Sequence, residues 1–205
     1  YVRRSAFTYY EAESDFGMVG DLQTAVHQAP DGAGDWADVE TYYYRYYLDS
    51  AGGIGFAHGL KYVLEPEAFR RLAASVADPF SATDAQVARF ADFHFRYDDQ
   101  QRVVAETVAA GTRTYQFTYT ASGNAEGYNS WQQKTVESLP DGNQKIVFTN
   151  HVGQVMLEEL RSGADSWIQY RQYDEVFAAV ILRAMPSAVQ GYVESQPDLG
   201  GLTVI

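Results

Sequence analysis

The chain has 205 residues, a net charge of −12 at pH 7 and 15% aromatic residues, among them 16 tyrosines. This acidity excludes nucleic acid and anionic membrane surfaces as partners, because neither attracts a strongly negative protein. The sequence has no cysteine, which excludes disulfides and thiolate metal sites, and it has no apolar run near the ~20 residues of a membrane-spanning helix.

The first part of the chain is predicted to form β-strands joined by polar turns, because β-prone runs alternate with Gly, Pro and Asp clusters. Pro30-Asp31-Gly32 is predicted to close the first hairpin, and residues 11–20 are predicted to be an insertion within it. The predicted strands in this region cover residues 2–10, 21–26, 39–48 and 56–64.

The third of these strands, residues 39–48, would place aromatic rings on both of its faces. One interpretation is a stacking platform for sugars or a protein partner, built from Tyr42, Tyr44 and Tyr46. The more economical interpretation is an internal strand whose tyrosine hydroxyls reach water at the rim of the sheet, since tyrosine is common on half-buried strands.

The sequence contains two sets of residues of the types that bind metal ions. Asp31, Asp35 and Asp38 form an acidic stretch that is a weak calcium candidate, because hard cations prefer carboxylate oxygens. The EF-hand spacing is absent and aspartate is a common turn residue, which favours a solvated loop. The four histidines lack the spacing of metal ligands and predict no metal site. They are His27, His58, His94 and His151.

The pattern changes to a helical one after residue 64. Residues 65–76 have Pro66 at a first-turn position and apolar residues at helical spacing. A second helix is predicted over residues 82–91, with Ser81 or Thr83 as its N-cap. We expect residues 65–91 to be a helical insertion that packs on one face of the sheet or across an open end.

Residues 92–190 repeat an aromatic-led hairpin with a period in the low twenties, once a loop insertion at 124–132 is allowed for. Such a period indicates a repeat architecture in which each unit covers the next. The aligned anchors are Tyr97, Tyr119, Thr149 and Tyr173; the strand residues two places before them are Phe95, Phe117, Val147 and Arg171; and the turn residues four places after them are Gln101, Gly123, Gly153 and Phe177.

This pattern resembles the tyrosine–aspartate (YD) repeat of Rhs and teneurin-type proteins. The resemblance rests on residues 95–103, FRYDDQQRV, and on Tyr173-Asp174, with weaker copies around residues 117–123 and 147–155. The positions that it marks as structural are Phe95, Tyr97, Asp98, Arg102, Tyr119, Gly123, Gly153, Tyr173 and Asp174.

The resemblance implies a bacterial secreted or cell-surface protein in which many such units build a hollow shell around a toxin or other cargo, or an extracellular scaffold. Its partners would be neighbouring repeats of the same parent chain or other subunits of an assembly. We therefore expect a non-enzymatic structural piece of a longer protein, without a cofactor. The alternative is a carbohydrate- or protein-binding module that uses the strand at 39–48.

A further alternative is a hydrolase with paired carboxylates, Asp98-Asp99 and Asp174-Glu175. The recurrence of an aspartate at the same repeat position favours a turn-former whose carboxylate caps backbone N–H groups instead. No serine–histidine–aspartate set can be assigned from the spacing of these residues.

The predicted fold class is therefore mainly β: repetitive antiparallel hairpins with a short helical insertion. Residues 176–182 are almost wholly apolar and are predicted to be either a strand buried on both faces or a short helix. The stretch from Met185 onward is predicted to be irregular, ending in an edge strand at Leu202–Ile205. The predicted segments are a degenerate β-repeat region (1–64), the helical insertion (65–91), the YD-like repeats (92–190) and the irregular tail (191–205).

Overall fold

The structure is a computed structural model that describes residues 2–200. Twelve antiparallel strands follow one another in the sheet in the order of the chain, which confirms the mainly β fold of successive hairpins. The strands are β1 (Arg4–Tyr9), β2 (Leu22–Pro30), β3 (Trp36–Tyr46), β4 (Leu60–Leu64), β5 (Phe93–Tyr97), β6 (Val103–Val108), β7 (Arg113–Ala121), β8 (Gln133–Ser138), β9 (Gln144–Thr149), β10 (Val155–Ser162), β11 (Asp165–Tyr173) and β12 (Val180–Ala184).

The chain divides into two compact units, unit 1 (Tyr1–Thr114) and unit 2 (Tyr115–Ile205). The helical insertion does not separate them. It leaves the sheet after β4 and returns to it at β5, where Val63 pairs with Phe93 in the same antiparallel ladder. Residues 65–91 are therefore an excursion from the sheet within unit 1.

The insertion contains two helices, as the sequence predicts. Helix α1 (Pro66–Ser75) begins with its proline at the first turn and buries Ala68 and Leu72, because a proline there loses no helical hydrogen bond. Helix α2 (Asp84–Val87) is shorter than predicted. It starts at a capping box formed by Thr83 and Gln86. Neither helix within residues 2–200 is long and apolar enough to cross a membrane.

The sheet of unit 1 has two different faces. The helices cover one, where the buried residues are Tyr43, Tyr62, Leu64, Ala68, Leu72, Ala82, Val87 and Ala91. We call the opposite side the open face. There Phe7 lies opposite Ala25, which lies opposite Tyr42, so the alternation of side chains places half-exposed apolar groups in a row across the strands.

Unit 2 buries one face of its sheet under its own tail rather than under helices. The core contains Trp131, Ile146, Phe148, Met156, Leu157, Ile168, Tyr170, Tyr173, Ala184, Val189 and Leu199. The described part of the tail lacks strands and α-helices, as predicted, yet it is well anchored: Trp131 donates its backbone N–H to the carbonyl of Pro197 at 2.9 Å. The edge strand predicted at Leu202–Ile205 lies outside the described residues.

The prediction for residues 176–182 is wrong in both of its forms. Residues 174–179 form a turn, and Val180, Ile181 and Leu182 in the strand β12 that follows are exposed rather than buried; Ile181 is 62% exposed. The physical reason is position: β12 comes last in the sheet order, and β11 is its one neighbour among the residues that the structure describes. An apolar run thus lies at the edge of the sheet and not within it.

Candidate functional site

The repeated feature with the most regular geometry is a five-residue turn. At Asp98–Arg102 the N–H of Asp98 donates to the carbonyl of Arg102 at 2.9 Å, and the N–H of Gln101 donates to the carbonyl of Asp98 at 3.1 Å. The carboxylate Oδ1 of Asp98 accepts the N–H groups of Gln100 and Arg102, both at 2.9 Å. The fourth residue, Gln101, has a φ of +61°.

The two capping bonds and the closing backbone bond recur at two other turns. At Asn150–Gln154 the side-chain Oδ1 of Asn150 accepts two N–H groups, from the third and fifth residues, at 3.2 and 2.9 Å. At Asp31–Asp35 the carboxylate accepts the equivalent pair at 2.7 and 3.1 Å. The fourth residues, Gly153 and Gly34, have φ values of +81° and +97°. A short acidic or amide side chain thus satisfies the N–H groups that the reversal exposes.

Asp174 begins a longer version of this turn. Its carboxylate accepts the N–H groups of Val176 and Phe177, both at 2.8 Å, and the turn closes one residue later, at Ala179. These two N–H groups hold the pKa of Asp174 below its ordinary value. Desolvation acts to raise the pKa of Asp98, but hydrogen bonds from Arg102 and Gln100 outweigh it and lower that pKa. Each carboxylate is therefore occupied by its own turn.

Buried tyrosines tie the hairpins together. The hydroxyl of Tyr97 donates to the carbonyl of Leu60 at 2.8 Å, and that of Tyr173 donates to the carbonyl of Val155 at 2.8 Å. A shift of strand register, the mark of a β-bulge, falls immediately before each of these tyrosines. Bulges redirect a side chain relative to the regular alternation.

Two further tyrosines of this kind lie outside the repeat positions that were aligned within the sequence. Tyr10 donates its hydroxyl to the carbonyl of Tyr44 at 3.0 Å, and Tyr47 donates to the carbonyl of Phe95 at 2.9 Å. Both directly follow the first strand of a hairpin. The signal in the sequence was the paired tyrosines at positions 9–10 and 46–47, of which the second is the buried one.

The structure separates Tyr119 and Gly123 from the positions they were aligned with. Tyr119 lies in a regular ladder opposite Thr135, without a register shift, and it is half-buried rather than buried. Gly123 has no left-handed φ and belongs to the loop that connects β7 to β8. The four aligned strand residues do lie on the first strands of successive hairpins, at Phe95, Phe117, Val147 and Arg171.

The predicted aromatic surface lies partly on the open face. Tyr42 and Tyr44 are half-buried there. The parallel rings of Phe93 and Phe95, whose centroids are 6.1 Å apart, lie on the same face two strands away. Tyr46 instead packs edge-on against the buried ring of Tyr10. Burial, with the nearby charge of Asp21, raises the pKa of Tyr46 to about 12.

The candidate metal ligands serve other purposes. Asp31 caps its turn, Asp35 closes it, and Asp38 accepts a hydrogen bond from Gln28 at 2.5 Å. Among residues 2–200 no group of three or more histidine, aspartate or glutamate side chains is arranged to hold a metal ion. The histidines lie apart; His58 pairs with Asp21 at 2.8 Å.

A fully buried arginine fastens the helical insertion to the sheet. Arg45 donates to the hydroxyl of Tyr43 at 2.9 Å and to the carboxylate of Asp84 at 3.0 Å, and its guanidinium lies 3.6 Å from the ring centre of Phe16. Lys61 pairs with the same carboxylate. The signal in the sequence was a single cation within an aromatic strand.

Unit 2 has a comparable buried group in Glu159, which is 2% exposed. Its carboxylate accepts hydrogen bonds from Arg161, Ser166 and Tyr192 at 2.7–3.0 Å. Burial acts to raise the pKa of Glu159, but these three donors outweigh it and lower that pKa. Because Tyr192 belongs to the tail, this network holds the tail on the covered face of the sheet.

The cavities are weaker candidates for a functional site than these buried networks. A cavity of about 350 Å³ is lined by Glu13, Ser14, Asp15, Met18 and Leu48. Within the described residues, every buried side-chain nitrogen or oxygen has a hydrogen-bond partner. The capped turns, buried tyrosines and buried charges therefore stiffen the hairpins and bind them to one another. The surfaces that remain available for a partner are the open face of unit 1 and the edges of the sheet.

The two edges of the sheet are rich in apolar side chains. In β1 and the loop after it, Phe7, Tyr9 and Val19 are more than half exposed; at the other edge the exposed residues are Val176, Phe177, Val180, Ile181, Leu182 and Met185. Phe177 is 81% exposed. An apolar edge with unpaired backbone groups is a template for another strand.

No protein-family model matches the chain, and no curated protein matches it.

Proposed function

We propose that this chain is a non-enzymatic structural section of a longer protein of the YD-repeat (Rhs or teneurin) type, part of a β-sheet wall or extracellular scaffold that encloses cargo or presents a surface. The observation that carries the proposal is the turn shared by Asp31–Asp35, Asp98–Arg102 and Asn150–Gln154, with the same capping bonds in each.

The geometry supplies a reason for a tyrosine followed directly by an aspartate. In Tyr97-Asp98 the tyrosine hydroxyl binds a neighbouring strand while the next carboxylate rigidifies the turn. Tyr173-Asp174 has the same arrangement: the hydroxyl of Tyr173 binds a neighbouring strand, and the carboxylate of Asp174 caps the turn. A pair that fixes both the hairpin and its junction suits a wall, in which each hairpin must cover the next. The partners would be neighbouring repeats, and the location the cell surface or exterior.

Limited proteolysis tests this role. We expect thermolysin to cut the native chain only in its longer connections, around residues 11–20, 49–59 and 122–132, and at the exposed Phe177. Strand-wide cleavage at the rate of the urea-unfolded chain would contradict a wall. In the same assay Asp98→Ala should open the turn to cleavage, while Asp99→Ala, a matched control in the same turn, should behave like the parent.

A second candidate function is a binding module for neutral carbohydrate or protein. The observation that favours it is the aromatic row on the open face, where Tyr44 lies opposite Val63 and Val63 opposite Phe93. Aromatic faces stack on the apolar sides of sugars and partner side chains. A glycan panel with parent protein, a Tyr42→Ala/Tyr44→Ala variant and a Tyr115→Ala control decides it: binding lost in the first variant alone favours the module.

A further inference from the structure

The exposed apolar side chains of the edge strand β12 indicate the kind of partner that it binds. Four of its five side chains, from Val180 to Arg183, are exposed, and Ala184 alone is buried. The turn before it exposes Val176 and Phe177 to solvent. Protected edges usually carry lysine, proline or inward charges; β12 carries the single cation Arg183. β12 therefore has the features of an edge strand that pairs with another strand.

We infer that β12 pairs with β1 of a second copy of this chain, head to tail. The inference rests on the proposed function, because it identifies the type of strand that a repeat of this wall accepts. Strand direction is the first argument. β1 and β12 each pair antiparallel with their own neighbour, so a β1 that lies antiparallel to β12 extends the ladder in the same hydrogen-bond pattern.

The side chains supply a register. When Phe7 lies opposite Ile181, Ala6 lies opposite Leu182 and Thr8 opposite Val180. Phe7 is on the open face of unit 1, and Ile181 is on the face of unit 2 opposite to its tail, since Leu182 and Ala184 alternate with it. Phe7 and Ile181, which are 55% and 62% exposed in the single chain, would therefore cover each other on one face of the joined sheet. The register is strongly specified where side chains alternate in this way.

The cations and the turn agree with this register. Arg183 lies opposite Ser5 and not directly opposite Arg3 or Arg4. The end of β1 comes beside the turn before β12, so the exposed Tyr9 and the exposed Phe177 lie at the same end of the joined strands. Pairing of β12 with another β12 about a two-fold axis places the two Phe177 turns at opposite ends, away from each other. The head-to-tail arrangement therefore covers more exposed apolar surface.

Mixing of two blocked variants tests the inference in the whole chain. Phe7→Glu blocks β1 and Ile181→Glu blocks β12, and both positions are exposed enough to leave the fold intact, which circular dichroism checks. In sedimentation velocity over a hundredfold range of concentration, we expect the parent to form dimers and larger species and each variant to stay monomeric. An equimolar mixture should form dimers and nothing larger, since one free β12 meets one free β1.

Each other outcome contradicts the inference. Loss of association with Ile181→Glu but not with Phe7→Glu indicates β12–β12 pairing, and a parent that stays monomeric throughout shows that a second copy is not the occupant. Val39→Glu, at an exposed apolar position on the internal strand β3, is the control and should associate like the parent. None of these results depends on the thermolysin pattern, so the proposed function stands or fails separately.

Discussion

Substitution of Gly153 by alanine should destabilise unit 2, whereas the same change at Gly123 should not. Gly153 occupies the fourth position of its turn with a φ of +81°. An added Cβ meets no atom within 4 Å at either glycine, so the backbone alone decides. A residue with a Cβ destabilises the folded state by about 1–2 kcal/mol in the left-handed region. Replacement of glycine also lowers the conformational entropy of the unfolded chain, which stabilises the protein by about 0.5–1 kcal/mol.

The net loss for Gly153→Ala is therefore about 1 kcal/mol, or a fall in Tm of about 2–4 °C for a protein of this size. Gly123→Ala keeps an ordinary backbone and should gain about 0.4–1 kcal/mol. Urea denaturation followed by tryptophan fluorescence measures both, because one of the three tryptophans, Trp131, is buried 5.3 Å from the ring of Phe148, two residues before the turn begins. Equal effects at the two glycines would refute the assignment of the turn.

Three further predictions concern buried groups. Tyr97→Phe removes a buried hydroxyl donor and leaves a carbonyl without its partner, so it should cost about 1–2 kcal/mol in urea unfolding, while Tyr9→Phe at an exposed position should cost nothing measurable. Burial, followed by two nearby cations, lowers the pKa of His94; stability should therefore fall as pH drops below about 6.5, and a His94→Gln variant that keeps the full slope between pH 7 and 5 would contradict this. Asp84→Ala leaves a buried guanidinium without its carboxylate and should cost about 3 kcal/mol, whereas Arg45→Met should cost clearly less; equal losses would argue against a buried charge.

Much of the fold follows from local sequence. Alternating aromatics predict the strands, Pro66 predicts the start of α1, and the Asp and Gly clusters predict the turns, because each of these effects acts over a few residues. The recurrence of aspartate was interpreted as turn capping, and the structure has Asp98 and Asp174 in that position.

The remaining features depend on which strand becomes the neighbour of which, and pattern alone does not contain that information. Residues 176–182 have the composition of a buried strand but lie at an edge. Tyr119 looks like Tyr97 in the alignment, but the long loop after β7 replaces the tight turn and leaves no bulge. No role could be assigned to Arg45 or Glu159 from the sequence, because one essential partner of each, Asp84 and Tyr192, lies 39 and 33 residues away.

The order of the strands also bears on how the protein is made. Each strand pairs with the next one along the chain, so a hairpin can form as soon as its own residues leave the ribosome, and the entropy lost in closing each loop is small. The helical excursion and the loop after β7 show that such a chain accepts extra segments at its reversals. A protein assembled in this way could lengthen during evolution by adding hairpins, without redesign of those already present.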